Sequence, residues 1–352
     1  MPRFKAETLE EISEKIFISY GAPAERARLV SKFLVKANLC GHDSHGVIRV
    51  IQYVKAIEEG DLKPDAKIDI IRETETSALL RGNRGFGQVV AKRAMELAIE
   101  KARKKTVSVV CAFDLYHMGR LADYTMLAAE NDMIGISMVN SAPSVAPYGG
   151  IERLLSTAPI SYAFPTGKEN MFVLDISTSM CAEGKVRVSL HKGEKMPEGF
   201  IIDKNGNPSA NPKDLYEGGT ILPLGGDLVG YKGFGLGLTV EVMAGILSND
   251  KCAYEAGKKG NGVFFEVINI NDFIPIERFK ERVDALIRRI KSSKLRAGFK
   301  EILIPGEPEI RRERTNREKG ISIPERTWNE IVEIAKRKNI DINAFIDEAL
   351  SK

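Results

Sequence analysis

The sequence lacks the marks of several common classes of protein. Its four cysteines are Cys40, Cys111, Cys181 and Cys252, and no two of them form a C-x-x-C pair, which argues against a zinc site or a redox dithiol. The N-terminal residues have no apolar core of a signal peptide, and no window is apolar enough to span a bilayer. We therefore expect a cytoplasmic protein with reduced, packed thiols, no metal and no membrane partner.

Positive charge exceeds negative charge only slightly. The net charge is +4 over 352 residues, and no basic run is interleaved with aromatic residues as in nucleic-acid-binding surfaces. The run Arg311-Arg312-Glu313-Arg314 is mixed in sign and typical of a solvated helical face. We expect no nucleic-acid partner. Glutamine occurs only twice while lysine, arginine and glutamate abound, a balance that favours a thermophilic source.

The G-x-G-x-x-G fingerprint of Rossmann dinucleotide-binding proteins and the Walker A motif are both absent. Two glycine-rich segments remain, at residues 82–87 and 231–237. We expect the first to be a turn-rich loop before a helix and the second to open a helix. Lys232 precedes the glycines of the second segment, so a helix N-terminus with this cation could hold an anion such as a phosphate. The alternative is a tightly packed helix start.

Hydrophobic periodicity predicts helices at both ends of the chain and a mixture of strands and helices between them. Capping boxes beginning at Thr8 and Ser322 are expected to start the first and last helices. Strands are expected at 68–71, 77–80, 107–112, 134–139, 160–164, 172–176 and 262–270, with a further one at 186–190. Helices are expected at 47–59, 89–104, 121–130, 239–247 (a buried one) and 279–292, and long loops at 197–226. The fold class is therefore α/β (α+β). Residues 1–75 with 280–352 are expected to form a helical substrate and dimerisation domain, and residues 76–279 a cofactor-binding, catalytic sheet domain.

Histidine is scarce, with four in the whole chain. The segment Asp43-Ser44-His45-Gly46 follows an apolar helical pattern, and His117 lies between a predicted strand and a predicted helix. Two histidines in loops can supply an acid and an orienting donor for chemistry on a small polar substrate. The alternative is that both are ordinary hydrogen-bonded polar side chains. The residues alone thus predict an anion-binding α/β protein with two candidate histidines.

Seven short segments of this sequence recur in the same order in one family. They lie at residues 41–46 (G-H-D-S-H-G), 85–88 (G-F-G-Q), 117–120 (H-M-G-R), 145–150 (V-A-P-Y-G-G), 174–179 (L-D-I-S-T-S), 231–236 (Y-K-G-F-G-L) and 305–307 (P-G-E). Through them the chain resembles the malate/L-lactate dehydrogenase family that lacks a Rossmann fold, from about residue 9 to residue 328. Within that family it looks most like the broad hydroxycarboxylate dehydrogenase branch.

The resemblance implies a non-Rossmann cofactor domain with a mostly antiparallel sheet flanked by helices, which accounts for the missing fingerprint. It implies reversible hydride transfer between NAD or NADP and a small 2-oxo acid, giving usually the L-2-hydroxy acid. It also implies a homodimer with the active site near the interface, and we expect the helical chain ends to supply the buried apolar surface. Two alternatives stay open: an imine reductase acting on a cyclic imino acid, and a non-catalytic NAD(P)-binding regulatory protein.

Catalytic roles follow from the resemblance together with the chemistry of carbonyl reduction. The developing alkoxide needs a proton, which His45 or His117 can give. We favour His45 as the acid–base residue and His117 as a second donor that polarises the carbonyl. Ser44 can orient its neighbour or the substrate. Asp175 can fix a histidine tautomer or bind the cofactor.

Substrate and cofactor residues are expected in the same way. Arg49 can clamp the substrate carboxylate in bidentate fashion, and Tyr53, one helical turn further on, can line the pocket. The positions that match family cofactor contacts are Ser141, Ser177, Thr178, Lys232, Gly306 and Glu307. Arg120 and Asp175 are also expected to bind the cofactor. One departure concerns residues 156–159, which read S-T-A-P where many members carry G-T-N-P. Ala158 thus lacks an amide near the nicotinamide, and this loss motivates the regulatory alternative.

Overall fold

The computed structural model describes residues 1–342, apart from the side chains of residues 191 and 192. The α-helices are α1 (Ala6–Ser19), α2 (Ala24–Leu39), α3 (Arg49–Glu58), α4 (Gly87–Lys105), α5 (Ala122–Glu130), α6 (Glu183–Lys192), α7 (Pro212–Tyr216), α8 (Gly226–Val240), α9 (Ile276–Lys291), α10 (Glu307–Lys319) and α11 (Glu325–Arg337). The strands are β1 (Arg3–Phe4), β2 (Asp69–Glu73), β3 (Ser77–Gly85), β4 (Val107–Leu115), β5 (Met133–Asn140), β6 (Ile160–Phe164), β7 (Phe172–Ile176), β8 (Ile201–Ile202), β9 (Pro208–Ser209), β10 (Thr220–Ile221), β11 (Asn261–Asn269) and β12 (Ile321–Ser322).

A seven-stranded sheet, ordered β2-β3-β4-β11-β5-β6-β7, forms the middle of the molecule. The β3–β4 pair is parallel and the other pairs are antiparallel. Because side chains alternate between the faces of a strand, Val110 and Phe265 pack with the α4 side of the sheet, whereas Cys111 and Phe264 pack with Ala244 on the opposite face. The expected α/β class with a mostly antiparallel sheet flanked by helices is confirmed.

The chain ends share a second hydrophobic core. Apolar side chains of α1, α2, α3 and α11, among them Phe17, Leu34, Val50 and Ile331, are buried together, and each such burial contributes about 1.5–3 kcal/mol. Strand β1 pairs with β12, and α10 packs against α2. The proposed division at residues 75 and 280 stays a prediction, and its last ten residues lie outside the described part of the chain.

The secondary structure differs from the expected one at residues 186–190 and 197–226. Residues 186–190 belong to helix α6, not to a strand. Their alternating valines suit a strand, but Gly184 packs its backbone against Ser44 and Glu183 pairs with Arg187 at helical spacing, so tertiary contacts override the local preference. The expected loop at 197–226 contains α7 and a small sheet ordered β10-β8-β9.

The glycines of residues 82–87 predict a turn-rich loop, but residues 82–85 lie in strand β3. A Cβ on Gly82 would meet the side chains of Leu115 and Val90 at 2.9 and 3.0 Å, so this glycine allows close packing on β4 and does not mark a turn. The irregularity falls instead at Asn83 and Arg84, which have positive φ where the β3–β4 register shifts.

The expected capping boxes are not formed. Helix α1 begins at Ala6 with Lys5 as its N-cap, so Thr8 lies inside the helix. Helix α11 has Pro324 as its N-cap, without a side-chain cap. Ser322 lies two residues earlier, in the strand that pairs with β1, and that pairing holds its backbone outside the helix.

Helix α8 also begins earlier than expected, after Gly225 with φ 102°. Non-helical φ and ψ at Val229 divide α8 into two segments, and Lys232 lies in the first turn of the second segment, so residues 231–237 do open a helical segment. The chain continues as a π-helix, Glu241–Ile246, where a buried helix is expected at 239–247. The expectation that this helix is buried is wrong for Val242, Ile246 and Leu247, which are exposed. Among the described residues, no helix is long and apolar enough to cross a membrane.

Candidate active site

The two candidate histidines lie side by side. His45 ends a short 3-10 turn after α2, and His117 follows β4. Their ring centroids are 5.3 Å apart, and both side chains are half-buried. The first turn of α6 covers this site, because Gly184 lies directly against the side chain of Ser44. The structure thus brings together two histidines from distant parts of the chain.

His45 is held by its neighbour Ser44, whose Oγ lies 3.0 Å from Nδ1 of the imidazole. Burial lowers the pKa of His45 to about 3, and the positive charge of Arg49 adds to the effect. The imidazole is therefore neutral at neutral pH in the free protein. The orienting role expected for Ser44 stays a prediction, and this contact is the observation that supports it.

His117 has a more extensive set of contacts. The hydroxyl of Tyr53 lies 2.7 Å from Nδ1 of His117 and 3.1 Å from its backbone oxygen. Gln88 in turn donates from Nε2 to the Tyr53 hydroxyl at 2.7 Å. Burial lowers the pKa of His117 well below 6.5, and the charge of Arg49 adds to this. The sequence argument missed Gln88, whose only signal was its place in G-F-G-Q.

Arg49 is oriented by hydrogen bonds within the protein. Its Nε donates to the backbone oxygen of Ser44 at 2.6 Å, and its Nη1 donates to Gln52. Gln52 donates to the hydroxyl of Tyr116 at 3.2 Å. These contacts hold the guanidinium beside the two histidines, where it can bind a carboxylate. Tyr53, one turn along α3, reaches His117 with its hydroxyl.

A cavity of ≈ 280 Å³ lies between α2, β7 and α10. Its polar lining includes Arg120, Asp175 and His42, and Gly306 also borders it. Apolar walls come from Met126, Met171, Val173, Leu174, Ile176 and Ile310. Asp175 accepts a hydrogen bond from the backbone N–H of Ala122 at 2.9 Å, while burial raises the pKa of its carboxyl.

Arg120 is the unusual residue of this cavity. The side chain is buried, and its Nη2 lies 3.3 Å from Asp123. Its Nε and Nη1 have no nitrogen or oxygen hydrogen-bond partner among the described residues, and the Cys40 thiol is the contact beside the guanidinium. Buried donors without partners are rare in folded proteins. The arrangement therefore fits a polar or anionic ligand entering the cavity, and three expected cofactor residues, Arg120, Asp175 and Gly306, lie together on its wall.

The other expected cofactor residues do not line this cavity. Thr178 donates from Oγ1 to the backbone oxygen of Ala158 at 3.0 Å, and Ser177 donates to that of Ser179 at 3.0 Å. Glu307 is buried, pairs with Lys291 and accepts from the backbone of Ile304. Ser141 directly follows β5, and Lys232 is exposed on α8.

The loop at Ala158 lacks the side-chain amide found in many family members, but other contacts hold it in place. Ala158 is buried with φ 40°, a conformation that asparagine adopts more readily than alanine. Its N–H donates to Ser156 Oγ at 3.2 Å, and that hydroxyl donates to buried Glu241 at 3.1 Å. Backbone and serine contacts thus hold the loop in place without a side-chain amide at residue 158.

Comparison with known proteins gives a consistent result. A family model described as malate/L-lactate dehydrogenase matches residues 4–332. The malate dehydrogenase of Pyrococcus horikoshii is 43% identical over 335 residues, covering 93% of each chain. The L-sulfolactate dehydrogenase of Methanocaldococcus jannaschii is 38% identical over 349 residues, covering 97% of this chain and 99% of that one. Hydroxycarboxylate dehydrogenase B of Escherichia coli is 31% identical over 344 residues, covering 95% and 94%.

Solved structures agree with these relatives. The structure of malate dehydrogenase from Pyrococcus horikoshii has a TM-score of 0.89 at 39% identity and covers 96% of each chain. That of sulfolactate dehydrogenase from Methanocaldococcus jannaschii has a TM-score of 0.90 at 37% identity, covering 98% of this chain and 99% of that one. Fold and sequence therefore point to the same family.

Proposed function

Because the chain belongs to the malate/L-lactate dehydrogenase family and is a 2-hydroxy acid dehydrogenase that uses a nicotinamide cofactor, we propose that it interconverts a small L-2-hydroxy acid bearing a second acidic group and the matching 2-oxo acid. The observation that carries the proposal is the convergence of two histidines with a pre-oriented arginine. The second acidic group is inferred from relatives named for malate and sulfolactate.

His117 is the residue that we propose for proton transfer, with His45 as a second polar contact, the reverse of the assignment favoured from sequence. His117 has a chain of hydrogen bonds through Tyr53 to Gln88 that defines its ring orientation. His45 has a single partner, the flexible hydroxyl of Ser44. An acid–base residue works best when its ring is fixed by a second group. Arg49 binds the substrate carboxylate beside it.

The cofactor is placed in the cavity at Arg120 as part of the same proposal. Arg120 would bind it with its free N–H groups, Asp175 would accept from its hydroxyls, and the apolar walls would cover a flat ring. When bound, the nicotinamide supplies or accepts the hydride. The choice between NAD and NADP is left to experiment, since Asp175 and Glu309 on the wall disfavour an added phosphate while Lys36 and Arg120 favour one.

Turnover with an oxo-acid panel tests this function. Loss of NADH or NADPH absorbance is expected with oxaloacetate, and slower loss with pyruvate and 2-oxoglutarate, because the relatives are named for acids with two anionic groups. A cyclic imine added to the same panel is the control for imine reduction. Preference for the imine, or binding of cofactor without turnover of any acid, would contradict the proposal.

Arg120→Lys is expected to weaken cofactor binding about 10- to 100-fold, the effect of losing a hydrogen bond from a charged group. Lysine keeps a positive charge for Asp123 but cannot present the remaining guanidinium N–H groups. Lys232→Ala is the comparison, and a smaller loss is expected because Lys232 does not line this cavity. Fluorescence titration with NADH measures both. Unchanged affinity in Arg120→Lys would place the cofactor elsewhere.

A homodimer remains part of the proposal, but exposure favours a different interface from the helical chain ends. Large exposed apolar side chains concentrate between residues 224 and 254: Leu224, Leu228, Val229, Tyr231, Leu236, Leu238, Val242, Ile246, Leu247 and Tyr254. Leu228 is 90% exposed. Contiguous exposed apolar surface of this kind marks an interaction site. We therefore propose α8 and the π-helix as the dimer interface.

Leu228→Glu combined with Ile246→Glu is expected to convert the dimer to a monomer, because two carboxylates would be buried without partners at the interface. Sedimentation velocity at micromolar concentration measures the mass. Ile70→Glu is the matched control, since Ile70 is also exposed but lies on β2. A wild-type monomer, or a dimer that survives the double change, would exclude this interface.

A further inference from the structure

We propose that Gln88 is a positioning residue for proton transfer: its side-chain amide fixes the hydroxyl of Tyr53, and Tyr53 holds His117 with a proton on Nδ1 and the lone pair on Nε2. The inference rests on the proposed function in one respect, the assignment of proton transfer to His117. The tautomer itself is a separate property that can be measured without substrate.

The start of α4 is what brings Gln88 to this place. Gly87 lies against the backbone of Tyr116 and His117 so closely that a Cβ would collide with both carbonyl oxygens. Only glycine permits that approach, and the next residue, Gln88, then points to the hydroxyl of Tyr53. Gln88 and Tyr53 are both 0% exposed, so water does not compete for the contact.

The hydrogens can be assigned by counting donors and acceptors. A tyrosine hydroxyl has one hydrogen and two lone pairs. Gln88 donates to one lone pair of the Tyr53 oxygen. The backbone oxygen of His117 can only accept, so its 3.1 Å contact requires the Tyr53 hydrogen. The remaining lone pair then accepts a hydrogen from Nδ1 of His117 at 2.7 Å.

This arrangement makes use of all three contacts at the Tyr53 oxygen. If Tyr53 donated to Nδ1 instead, its oxygen and the backbone oxygen of His117 would face each other at 3.1 Å without a hydrogen between them. A buried acceptor pair of that kind is unfavourable. The contacts therefore favour the Nδ1–H tautomer of neutral His117.

The consequence concerns the other ring nitrogen. In the Nδ1–H tautomer, Nε2 carries the lone pair, and no partner for it occurs among the described residues. Nε2 can then take the hydroxyl proton of a hydroxy acid: the substrate O–H bond breaks, an N–H bond forms, and the ring becomes an imidazolium. Nδ1 keeps its hydrogen and Tyr53 need not rotate, so the same hydrogen bonds serve both protonation states.

A packing role alone does not account for glutamine at this position. The Oε1 atom of Gln88 is buried without a hydrogen-bond partner in the described part of the chain. A buried, unsatisfied oxygen is destabilising, and an apolar side chain of the same length would avoid it. Glutamine is favoured here only if its N–H contact with Tyr53 contributes.

A double-mutant cycle tests whether Gln88 acts through Tyr53. Gln88→Met keeps the length of the side chain and removes the donor, and kcat/KM for hydroxy acid oxidation is expected to fall roughly 10- to 100-fold, as for other orienting partners. In a Tyr53→Phe background the same change should have no further effect, because the shared hydroxyl is already absent. Multiplied losses in the double variant would show a packing role and overturn the proposal.

Ser31→Ala is the matched control for loss of a buried polar atom. Ser31 lies on α2, is 0% exposed, and its hydroxyl has no partner among the described residues. Its substitution is expected to leave kcat/KM unchanged. Thermal unfolding of each variant confirms that it is folded before turnover is compared. A loss of activity in Ser31→Ala like that in Gln88→Met would show that the assay reports core integrity, and the proposal would fall.

Nitrogen NMR of histidine-labelled protein reports the tautomer of His117, a property that a change in stability alone does not alter. The chain has only four histidines, and the His117 signals are those absent from a His117→Gln variant. The wild type is expected to show the Nδ1–H tautomer, and Gln88→Met a mixture. An Nε2–H tautomer in the wild type would overturn the proposal even if Gln88→Met fails to fold.

The two assays separate this inference from the proposed function. If Gln88→Met changes the tautomer while the turnover of Gln88→Met and His117→Ala stays normal, Gln88 orients the ring and the assignment of His117 is wrong. If His117→Ala is inactive and Gln88→Met leaves both tautomer and turnover unchanged, His117 is the acid–base residue and Gln88 has no positioning role.

Discussion

His117→Ala is expected to lower kcat by about 10²- to 10⁴-fold, the usual contribution of a positioned acid–base group, while NADH still binds. The imidazole lies beside Arg49, which we place on the substrate carboxylate, and its Nδ1 is held by Tyr53. Removing the ring takes away the group that exchanges a proton with the substrate oxygen. Steady-state kinetics with oxaloacetate, alongside fluorescence titration of NADH, measures both quantities.

His45→Ala is the companion variant, and a smaller loss is expected, mainly as a higher KM. Its imidazole is neutral, since burial lowers its pKa to about 3, and Ser44 is its one hydrogen-bond partner among the described residues. A larger loss of kcat in His45→Ala than in His117→Ala, with a normal pH profile in His117→Ala, would restore the assignment favoured from sequence.

The pH dependence has a definite direction. Burial lowers the pKa of His117 well below 6.5, and the positive charge of Arg49 lowers it further. Oxidation of a hydroxy acid needs the neutral imidazole as base, so its rate should stay constant down to pH 6.5 and fall only below it. Reduction of the oxo acid needs the imidazolium, so its rate should rise as pH falls. Rate profiles in both directions check the two signs.

Arg49→Lys is expected to lower kcat/KM for 2-oxo acids roughly 30-fold or more, because loss of a buried charged hydrogen bond costs about 2–5 kcal/mol. Lysine keeps the charge but loses the fixed fork of N–H donors that matches a carboxylate. It also loses the contacts to Ser44 and Gln52 that orient Arg49. The loss should appear mainly in KM, since the carboxylate is bound throughout the reaction.

Arg26→Lys is the matched control for this prediction. Arg26 also donates to a backbone carbonyl, that of Ala66 at 2.6 Å, but it lies away from the histidines. Its substitution is expected to leave KM unchanged. Equal KM values in Arg49→Lys and the wild type, across acids of different length, would show that another residue binds the carboxylate.

Local sequence patterns determined much of the secondary structure of this protein. Short runs rich in apolar and β-branched residues at 107–112 and 134–139 predict strands, and a helical period of apolar residues at 89–104 predicts a helix, because side-chain direction repeats with the backbone. The seven ordered segments determined the family, and with it the antiparallel sheet and the pairing of His45 with His117 in one site. Arg49 and Tyr53 could be placed on one helical face from their spacing alone.

Only the tertiary structure decided the hydrogen-bond partners and the surroundings of these residues. Gln88, Tyr53 and His117 come from α4, α3 and the segment after β4, and their contact depends on how closely Gly87 lets these parts approach. The same holds for Arg120, whose Nε and Nη1 lack a nitrogen or oxygen partner among the described residues beside a cavity, and for the break at Val229 that sets Lys232 in the first turn of a helical segment. Sequence patterns report the period of a segment, whereas burial and hydrogen bonding depend on which distant segments pack against it.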